Sequence, residues 1–423
     1  MAGPGASDAR RNNSRGDLPT FKKTILVAAL GAISAGAYAA DVELYGVVDT
    51  GLKYTHEKWQ EKRAAGKHIE KDQSFTMESG TNSATRFGLR GSEDLGNGLK
   101  VGFKLENGFS SDTGALGENR IFGREASVNV SGDFGTVYAG RMGILRSDTG
   151  SVGFYGAMAS AFGSGWSDNI AGHTFVMADY VSRRDNVLTY VSPEFAGTTL
   201  YAQYAMGGDD KIGSENKTTA DRYAAIGAKW AGGPFEVGAL VDWQNKSNRD
   251  VTIGGHALPR SVYSIKDAYT VNLAGSYDCG FAKTYLALQY FKDANDVAGL
   301  IPKAASIISA DDAAQAMRLL TVTGYGVHLS TAFDALGGSW KVGIGYMDGD
   351  ADQHYAETSG FNGDVKAYTA SVGYEYALSK RTMVYTGMGY TQRELDVTFT
   401  DAQDNSKNTV KGFDFAMGLV HRF

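Results

Sequence analysis

The sequence has very little cysteine or proline. One cysteine, Cys279, occurs in 423 residues, so no disulfide can form within the chain. Proline is also scarce, with 6 residues, and this belongs to a composition that suits strands and tight turns better than helices. Beyond residue 40 no apolar run approaches the length of about 18 residues that a helical membrane span needs. A membrane protein with this sequence would have to cross the bilayer with strands.

Recognisable catalytic motifs are also missing. The 7 histidines are scattered and no G-x-S-x-G segment occurs, which argues against a nucleophile–base pair. Gly96-Asn97-Gly98 resembles a hairpin turn rather than a phosphate loop, because no Gly-Lys-Ser/Thr follows it. We therefore expect no enzyme, no cofactor and no metal site. The net charge of −6 makes nucleic acid an unsuitable partner.

The N-terminus indicates export. Lys22 and Lys23 precede an apolar stretch over 24–33, and Ala37-Tyr38-Ala39 follows, which is the pattern of a secretory signal peptide. We predict cleavage after Ala39, so that 1–39 comprise an N-terminal extension plus signal peptide. The remainder, 40–423, is expected to form a single domain.

Strand signals dominate this remainder. The chain has 55 glycines, 23 tyrosines and 20 phenylalanines, a composition that suits strands and tight turns. Apolar and polar or small residues alternate with period two, for example over 223–230, 235–244, 325–333 and 339–347. A soluble β-sandwich would show the same alternation. Aromatic residues near the ends of the apolar faces favour a membrane barrel: Trp230, Trp243, Trp340, Tyr346, Tyr374, Tyr376 and Tyr390.

The connections between strands alternate between short and long, which is the layout of outer-membrane barrels. Long polar segments are expected at 56–81, 142–182, 246–267, 293–321, 348–364 and 394–411. The fold class predicted is all-β, an antiparallel up-and-down transmembrane β-barrel of about sixteen strands. The predicted strands begin near Val42, Ser83, Leu99, Arg120, Thr136, Arg183, Thr198, Asp221, Phe235, Ala268, Ala282, Thr321, Ser339, Lys366, Thr382 and Gly412.

The C-terminus carries an uninterrupted strand pattern. Phe415, Met417 and Leu419 alternate with small residues, and the last residue is the aromatic Phe423. A closed barrel needs its last strand to pair with its first. We interpret these four residues as an assembly signal.

Several segments resemble the general diffusion porins of Gram-negative bacteria, in the trimeric sixteen-stranded branch. The matching segments are 44–49, 86–100, 134–137 with Gly140-Arg141, 190–193, 376–382 and 418–423, the last ending in His421-Arg422-Phe423. The resemblance implies an outer-membrane homotrimer in which the third long loop, here 142–182, folds into the lumen. It also implies a constriction with basic residues on the wall and acids on that loop.

Candidate constriction residues follow from the resemblance and from strand parity. The wall candidates are Arg86, Arg124 and Arg183, joined by Arg90, Lys100 and Lys104, which face the lumen by parity. The acids of the third loop are Asp148, Asp168 and Asp179. Arg124 conflicts with strict alternation, so either a bulge intervenes or Arg124 precedes the regular strand.

The expected function is passive diffusion of small hydrophilic solutes and ions, with a preference for anions. The expected partners are a second and third copy of the chain, outer-membrane lipid and lipopolysaccharide, and the barrel-assembly machinery through the C-terminal strand. The alternative is a sugar-specific channel, which would need a lumenal path of aromatic residues. Candidates for such a path are Tyr45, Tyr201, Tyr223 and Tyr285.

Overall fold

The computed structural model describes residues 41–423 except 64–65, 164, 179–181, 208–221, 246–251, 254–255, 258–265, 295–296, 298–320, 354–360 and 400–404. The proposed leader, 1–39, and Asp179 lie outside the described residues. No helix among the described residues is long and apolar enough to cross a membrane.

Strands make up most of the described chain. In chain order they are β1 (Asp41–Arg63), β2 (Gly66–Ser79), β3 (Arg86–Gly96), β4 (Leu99–Gly108), β5 (Glu125–Gly132), β6 (Gly135–Gly143), β7 (Arg183–Val191), β8 (Thr198–Ala205), β9 (Tyr223–Gly232), β10 (Phe235–Gln244), β11 (Thr252–Ile253), β12 (His256–Ala257), β13 (Ala268–Asp278), β14 (Ala282–Ala294), β15 (Thr321–Ala335), β16 (Gly338–Gln353), β17 (Phe361–Ala377), β18 (Thr382–Phe399) and β19 (Ser406–Arg422). One short α-helix, α1 (Tyr155–Ala159), and 3-10 turns at Gly117–Asn119, Asp168–Ile170 and Gly172–Phe175 lie between strands.

The sheet closes on itself. Neighbouring strands pair antiparallel in chain order, and β19 returns to β1, with Val47 opposite Arg422 and Arg63 opposite Ser406. β1 also pairs with both β2 and β3, which occupy one position in the barrel, one above the other. The barrel therefore has sixteen strand positions, as the sequence predicted. β11 and β12 form a separate small hairpin in the loop after β10.

Each barrel strand presents one apolar and one polar or small face. On the outer face Ile226 is 66% and Ile344 61% exposed. On the inner face Asp242 and Asn272 are buried against other polar groups. The outer face also carries two rows of aromatic residues, one toward the long loops (Tyr269, Tyr290, Tyr325, Tyr346, Tyr368, Tyr390) and one toward the short turns (Trp230, Phe235, Tyr277, Phe333, Trp340, Tyr374). An apolar band between two aromatic girdles is the signature of a barrel in a bilayer.

Three of the predicted long polar segments are largely occupied by barrel strands, so those predictions were wrong in extent. β1 and β2 continue through most of 56–81, β16 and β17 through much of 348–364, and β18 and β19 into 394–411. These extensions continue beyond the aromatic row, where the outer face carries charged residues such as Lys58, Glu394 and Lys407 instead of apolar ones. The apolar alternation that reveals a strand therefore stops before the backbone pairing does.

Candidate functional site: the lumen constriction

The described residues of the segment 144–182, namely 144–163, 165–178 and 182, are called here the lumen loop and lie inside the barrel. Small inward-facing residues of the wall make room for it. A Cβ on Gly326 would lie 1.7 Å from the carbonyl oxygen of Val176, and one on Gly387 would lie 2.5 Å from the ring of Trp166. The glycine content of these strands is therefore explained by a loop that packs directly on the wall.

Hydrogen bonds and ion pairs fasten the lumen loop to strands around much of the inner wall. Listed along the loop, they are Leu145 N to Gln203 Oε1 at 3.1 Å, Arg146 to Asp242 at 3.3 Å, Ser151 Oγ to Glu125 at 2.6 Å, Tyr155 OH to the Leu288 carbonyl at 3.0 Å, Ala161 N to Ser330 Oγ at 2.9 Å, Trp166 Nε1 to Glu375 at 3.0 Å, Lys53 to Asp168 at 2.6 Å, Asn169 N to Asp414 at 3.0 Å and Ala178 N to Gln289 at 2.6 Å. The loop is therefore held in the lumen by partners on eight strands, which are β1, β5, β8, β10, β14, β15, β17 and β19.

A buried pair of histidines lies where the loop packs against β15. The ring of His173 on the loop and that of His328 on β15 have centroids 5.7 Å apart. Burial lowers the pKa of His173, while the charge of Asp148 opposes that shift. This part of the loop therefore packs with His173 neutral.

Opposite, the wall formed by β3 to β5 carries a cluster around Glu106. Its carboxylate accepts a hydrogen bond from Arg124 Nε at 2.7 Å and from the hydroxyl of Tyr45 at 2.7 Å. Arg86 and Lys104 each approach it to 3.7 Å. One carboxylate thus holds three basic side chains at one place on the wall.

A second cluster is centred on Glu118, in the loop after β4. Arg183 Nη1 lies 3.1 Å from its carboxylate, and Arg141 also pairs with it. Asp185 on β7 binds both Arg141 and Arg120 at 2.7 Å. The two clusters are electrostatically continuous, because Arg124 repels both Arg86 and Arg183.

These residues leave an excess of positive charge. We name the six basic side chains of the two clusters the basic wall: Arg86, Lys104, Arg120, Arg124, Arg141 and Arg183. Among the described residues, four acids pair with them (Glu106, Glu118, Glu125 and Asp185), so this part of the chain places two more basic than acidic groups in the two clusters.

The structure brings the three predicted wall arginines together. Arg124 immediately precedes β5, which begins at Glu125, so strand alternation does not set its direction. This resolves the parity conflict without a bulge. Arg183 is more enclosed than expected, since only 7% of its side chain is exposed.

Of the two further basic candidates, Arg90 reaches the first cluster through Tyr45, whose ring centroid lies 5.1 Å from its guanidinium carbon, and Lys100 lies apart. Arg90 pairs with Glu43 at 2.7 Å, and both side chains are more than half exposed. Lys100 is exposed and stands opposite Asp94, next to the short turn between β3 and β4. Both positions are toward the short-turn rim.

Of the predicted loop acids, Asp168 faces open space, with 55% of its side chain exposed, and pairs with Lys53. Asp148 is partly buried and lies within electrostatic range of His173. Among the described residues, the acids in ion pairs with the wall arginines belong to the wall and to the loop after β4.

Sequence reasoning missed Glu106, Glu118, Arg120 and Arg141. Glu106 shares strand parity with Lys104 and could have been found by that rule. Arg141 could not, because the register of β6 and β7 shifts between Gly140 and Met142. Glu118 and Arg120 lie in an irregular loop, where alternation carries no information.

The tyrosines considered for a sugar path are engaged at separate places. Tyr223 is buried and hydrogen-bonded to Asp242, Tyr201 stacks on Phe154 with centroids 4.5 Å apart, and Tyr285 lies against Lys283. Tyr45 belongs to the Glu106 cluster. They form no continuous track along the lumen.

The C-terminal strand pairs as the sequence predicted. Phe415, Met417 and Leu419 lie on the outer face of β19, opposite Tyr54, Leu52 and Thr50 of β1. Phe423 exchanges two backbone hydrogen bonds of 3.1 Å with Gly46. Its ring covers Gly46 so closely that no Cβ would fit there.

Comparisons with known proteins agree with this architecture. The family described as Gram-negative porin matches residues 26–395. An outer membrane porin protein of Bordetella pertussis is 31% identical over 95% of this chain and 100% of its own length. Outer membrane porin protein 32 of Delftia acidovorans is 29% identical over 88% of this chain and 90% of its own.

Solved structures share the fold. An anion-selective porin from Comamonas acidovorans superposes with a TM-score of 0.57 at 23% identity, covering 91% of this chain and 100% of that one. OmpT of Vibrio cholerae in a trimer form superposes with a TM-score of 0.56 at 16% identity, covering 91% and 100%. The chain belongs to the Gram-negative porin family and is an outer-membrane channel for passive diffusion, not an enzyme.

Proposed function

We propose that this channel is a general diffusion pore that prefers anions. The observation that carries the proposal is the basic wall, whose six basic groups outnumber by two the described acids that pair with them beside the lumen. The solved porin from Comamonas acidovorans is described as anion-selective, which supports the same direction.

The expected preference is modest. A unit charge about 7 Å from a permeating ion contributes on the order of 0.6 kcal/mol in water. Physiological salt, with a Debye length of about 8 Å, reduces this to roughly 0.25 kcal/mol. Two excess charges then give about 0.5 kcal/mol, or roughly a twofold preference, since about 1.36 kcal/mol corresponds to a factor of ten.

The reversal potential of single channels in a salt gradient tests this proposal. Arg86→Gln with Arg124→Gln and Arg183→Gln removes three charges, so the excess becomes one negative charge and the preference should reverse. Glu118→Gln should strengthen the anion preference, because it removes an acid from the same region. A wild-type channel that prefers cations would contradict the proposal while leaving the porin family assignment intact.

We also propose that 1–39 are removed on export, leaving Ala40 as the first residue of the mature chain. The small residues before the cleavage point and the apolar stretch at 24–33 support this. Edman sequencing or intact mass of the outer-membrane form tests it.

The remaining proposals concern assembly. We propose a homotrimer, supported by the trimer form of a solved relative. We further propose that β19 is read by the barrel-assembly machinery and that the outer face contacts outer-membrane lipid and lipopolysaccharide. Cross-linking of intact cells, read as the mass of the cross-linked species, tests the trimer.

A further inference from the structure

Two lysines on the inner wall converge on one carboxylate. Glu236 on β10 lies 3.4 Å from the Nζ of Lys229 on β9, and it accepts a hydrogen bond from the Nζ of Lys283 on β14 at 2.9 Å. The hydroxyl of Ser276 on β13 donates to the same carboxylate at 3.3 Å. Because β9 and β14 are three strand positions apart, or about 14 Å at the backbone, the two ammonium groups meet only at this glutamate. We call Lys229 and Lys283 the lysine pair.

The lysine pair lies on the inner face between the lumen loop and the short-turn rim. Lys229 stands opposite Gly238, and a Cβ on that glycine would lie 3.0 Å from the sulfur of Met158 on the loop. Glu236 and Lys283 are each the second residue of their strand, next to a short turn. The pair is therefore separate from the basic wall, whose members belong to β3, β4, β6, β7 and the loop after β4.

All three charged side chains remain accessible to water in the lumen. The exposed fraction is 34% for each lysine side chain and 32% for Glu236. In the described part of the chain, Glu236 is the carboxylate within 4.0 Å of the lysine pair, although Asp278 stands opposite Lys283 at the exposed turn. Ion pairs this exposed are weak, so the lysines can exchange one carboxylate for another.

The groups around Glu236 are those that a free carboxylate would need. Two ammonium groups and a hydroxyl converge on its two oxygens, and ammonium groups form charge-assisted hydrogen bonds with carboxylates. The ring of Tyr285 lies beside the pair, with its centroid 5.5 Å from the Nζ of Lys283. This ring offers apolar surface to the body of a small organic acid.

We propose that the lysine pair is a second anion site in the lumen, at which a monocarboxylate solute displaces Glu236 and takes its place between the two ammonium groups. Because the glutamate competes with the solute, the site binds weakly, and weak binding at successive sites is what conduction requires. The inference rests on the proposed anion preference and names a class of solute and a place where it binds.

Block of the chloride current by benzoate, in single channels of the full-length protein, tests the proposal. Benzoate at the site obstructs chloride, and the quantity measured is the benzoate concentration that gives half-maximal block. Lys229→Gln with Lys283→Gln should raise this concentration about threefold, since each exposed ion pair contributes little. Glu236→Gln should lower it by a similar factor, because the resident competitor loses its charge.

Matched variants separate the site from the net charge of the lumen. Lys100→Gln with Lys380→Gln removes two positive charges from the short-turn side, and Asp94→Asn removes one acid there. Each should change the half-blocking concentration by less than about a factor of 1.5, because salt screens charges that are not in contact with the solute.

Two further arms separate the charge of the site from its fold. Lys229→Arg with Lys283→Arg should be blocked like the wild-type channel, because it keeps both positive charges. Benzyl alcohol, which has the ring of benzoate without its charge, should block none of the channels.

An unchanged half-blocking concentration in the double glutamine variant would overturn the proposal, as would an equal change in the variant at Lys100 and Lys380. A higher concentration in Glu236→Gln would show that the glutamate organises the lysines for the solute instead of competing with it, which also overturns the exchange. The reversal potential of the wild-type channel in chloride alone tests the anion preference. Failure of one proposal is therefore distinguishable from failure of the other.

Discussion

Single buried polar side chains secure the inner wall, and Asp49 shows how much depends on one of them. Its carboxylate accepts backbone N–H groups of Asn82 at 2.8 Å and Ser83 at 2.7 Å, and the hydroxyl of Tyr385 at 2.8 Å. It therefore fixes the chain between β2 and β3, at the point where that chain enters the lumen and where Thr81 accepts a bond from the lumen loop.

Replacement of Asp49 by alanine should destabilise the barrel. Each buried donor left without a partner costs about 1–3 kcal/mol. Samples are heated to a series of temperatures and then run on a cold gel, where the folded barrel migrates faster than the unfolded chain. The temperature at which half of the fast band is lost should fall in Asp49→Ala. It should fall less in Asp49→Asn, which keeps one acceptor. Equal melting of all three proteins would show that the bonds contribute nothing.

Acid should weaken the packing of the lumen loop through His173. Its pKa is lowered by burial in the folded state, whereas a histidine in water takes up a proton near pH 6.5. Its contribution to stability is therefore present above about pH 6.5 and is lost as the pH falls below that value. The groups that face it are His328 on β15 and Asp148 on the loop.

Current recordings between pH 7.5 and 5 measure this effect as the frequency of brief changes in conductance. The frequency should rise in acid for the wild-type channel and rise less in His173→Met, which keeps the volume without the titration. An identical pH response in the variant would assign the acid effect to other groups.

Among the secondary-structure elements, the strands that carry an apolar outer face were predictable and their extensions were not. Leu99, Arg183, Thr198, Phe235, Ala268, Ala282, Thr321 and Thr382 begin strands as predicted. β5, β17 and β19 differ by five or six residues, and β2 was predicted as loop. The alternation of apolar and polar residues arises where a strand faces lipid. It therefore does not reveal a strand whose outer face is polar, and it does not fix the direction of an arginine that precedes the strand.

The middle of the lumen loop is held by Glu375, a wall residue on β17. One carboxylate oxygen accepts bonds from Trp166 of the loop at 3.0 Å, from Asn82 at 2.8 Å and from Lys341 at 2.7 Å. We expect Glu375→Ala to loosen the loop around Trp166 and to increase single-channel conductance and current noise. Glu375→Gln still accepts hydrogen bonds and should behave more like the wild-type channel, and unchanged conductance in the alanine variant would refute the anchoring role.

At the scale of the whole molecule, the barrel closes where the last strand, β19, pairs with the first, β1. Phe423 pairs with Gly46, and its aromatic ring occupies the space above that glycine. A charge at this position would cost up to roughly 2–4 kcal/mol if it lay at lipid depth. Phe423→Asp should therefore reduce the yield of folded outer-membrane protein, with export to the periplasm continuing.

The matched variant for this experiment is Phe423→Tyr, which keeps the ring and should assemble normally. The measurement is the ratio of heat-modifiable barrel in the outer membrane to unfolded chain in the periplasm. Normal assembly of the aspartate variant would remove Phe423 from the assembly signal.

The attachment of the lumen loop also constrains how the protein can diverge. Leu145, Ala161 and Asn169 each bond through backbone N–H groups to side chains of the wall, at Gln203, Ser330 and Asp414. A relative may therefore exchange the loop residue freely, provided that it keeps an acceptor on the wall. Among proteins that descend from a common ancestor, the wall residues that accept these hydrogen bonds should therefore be substituted more slowly than the loop residues that donate them.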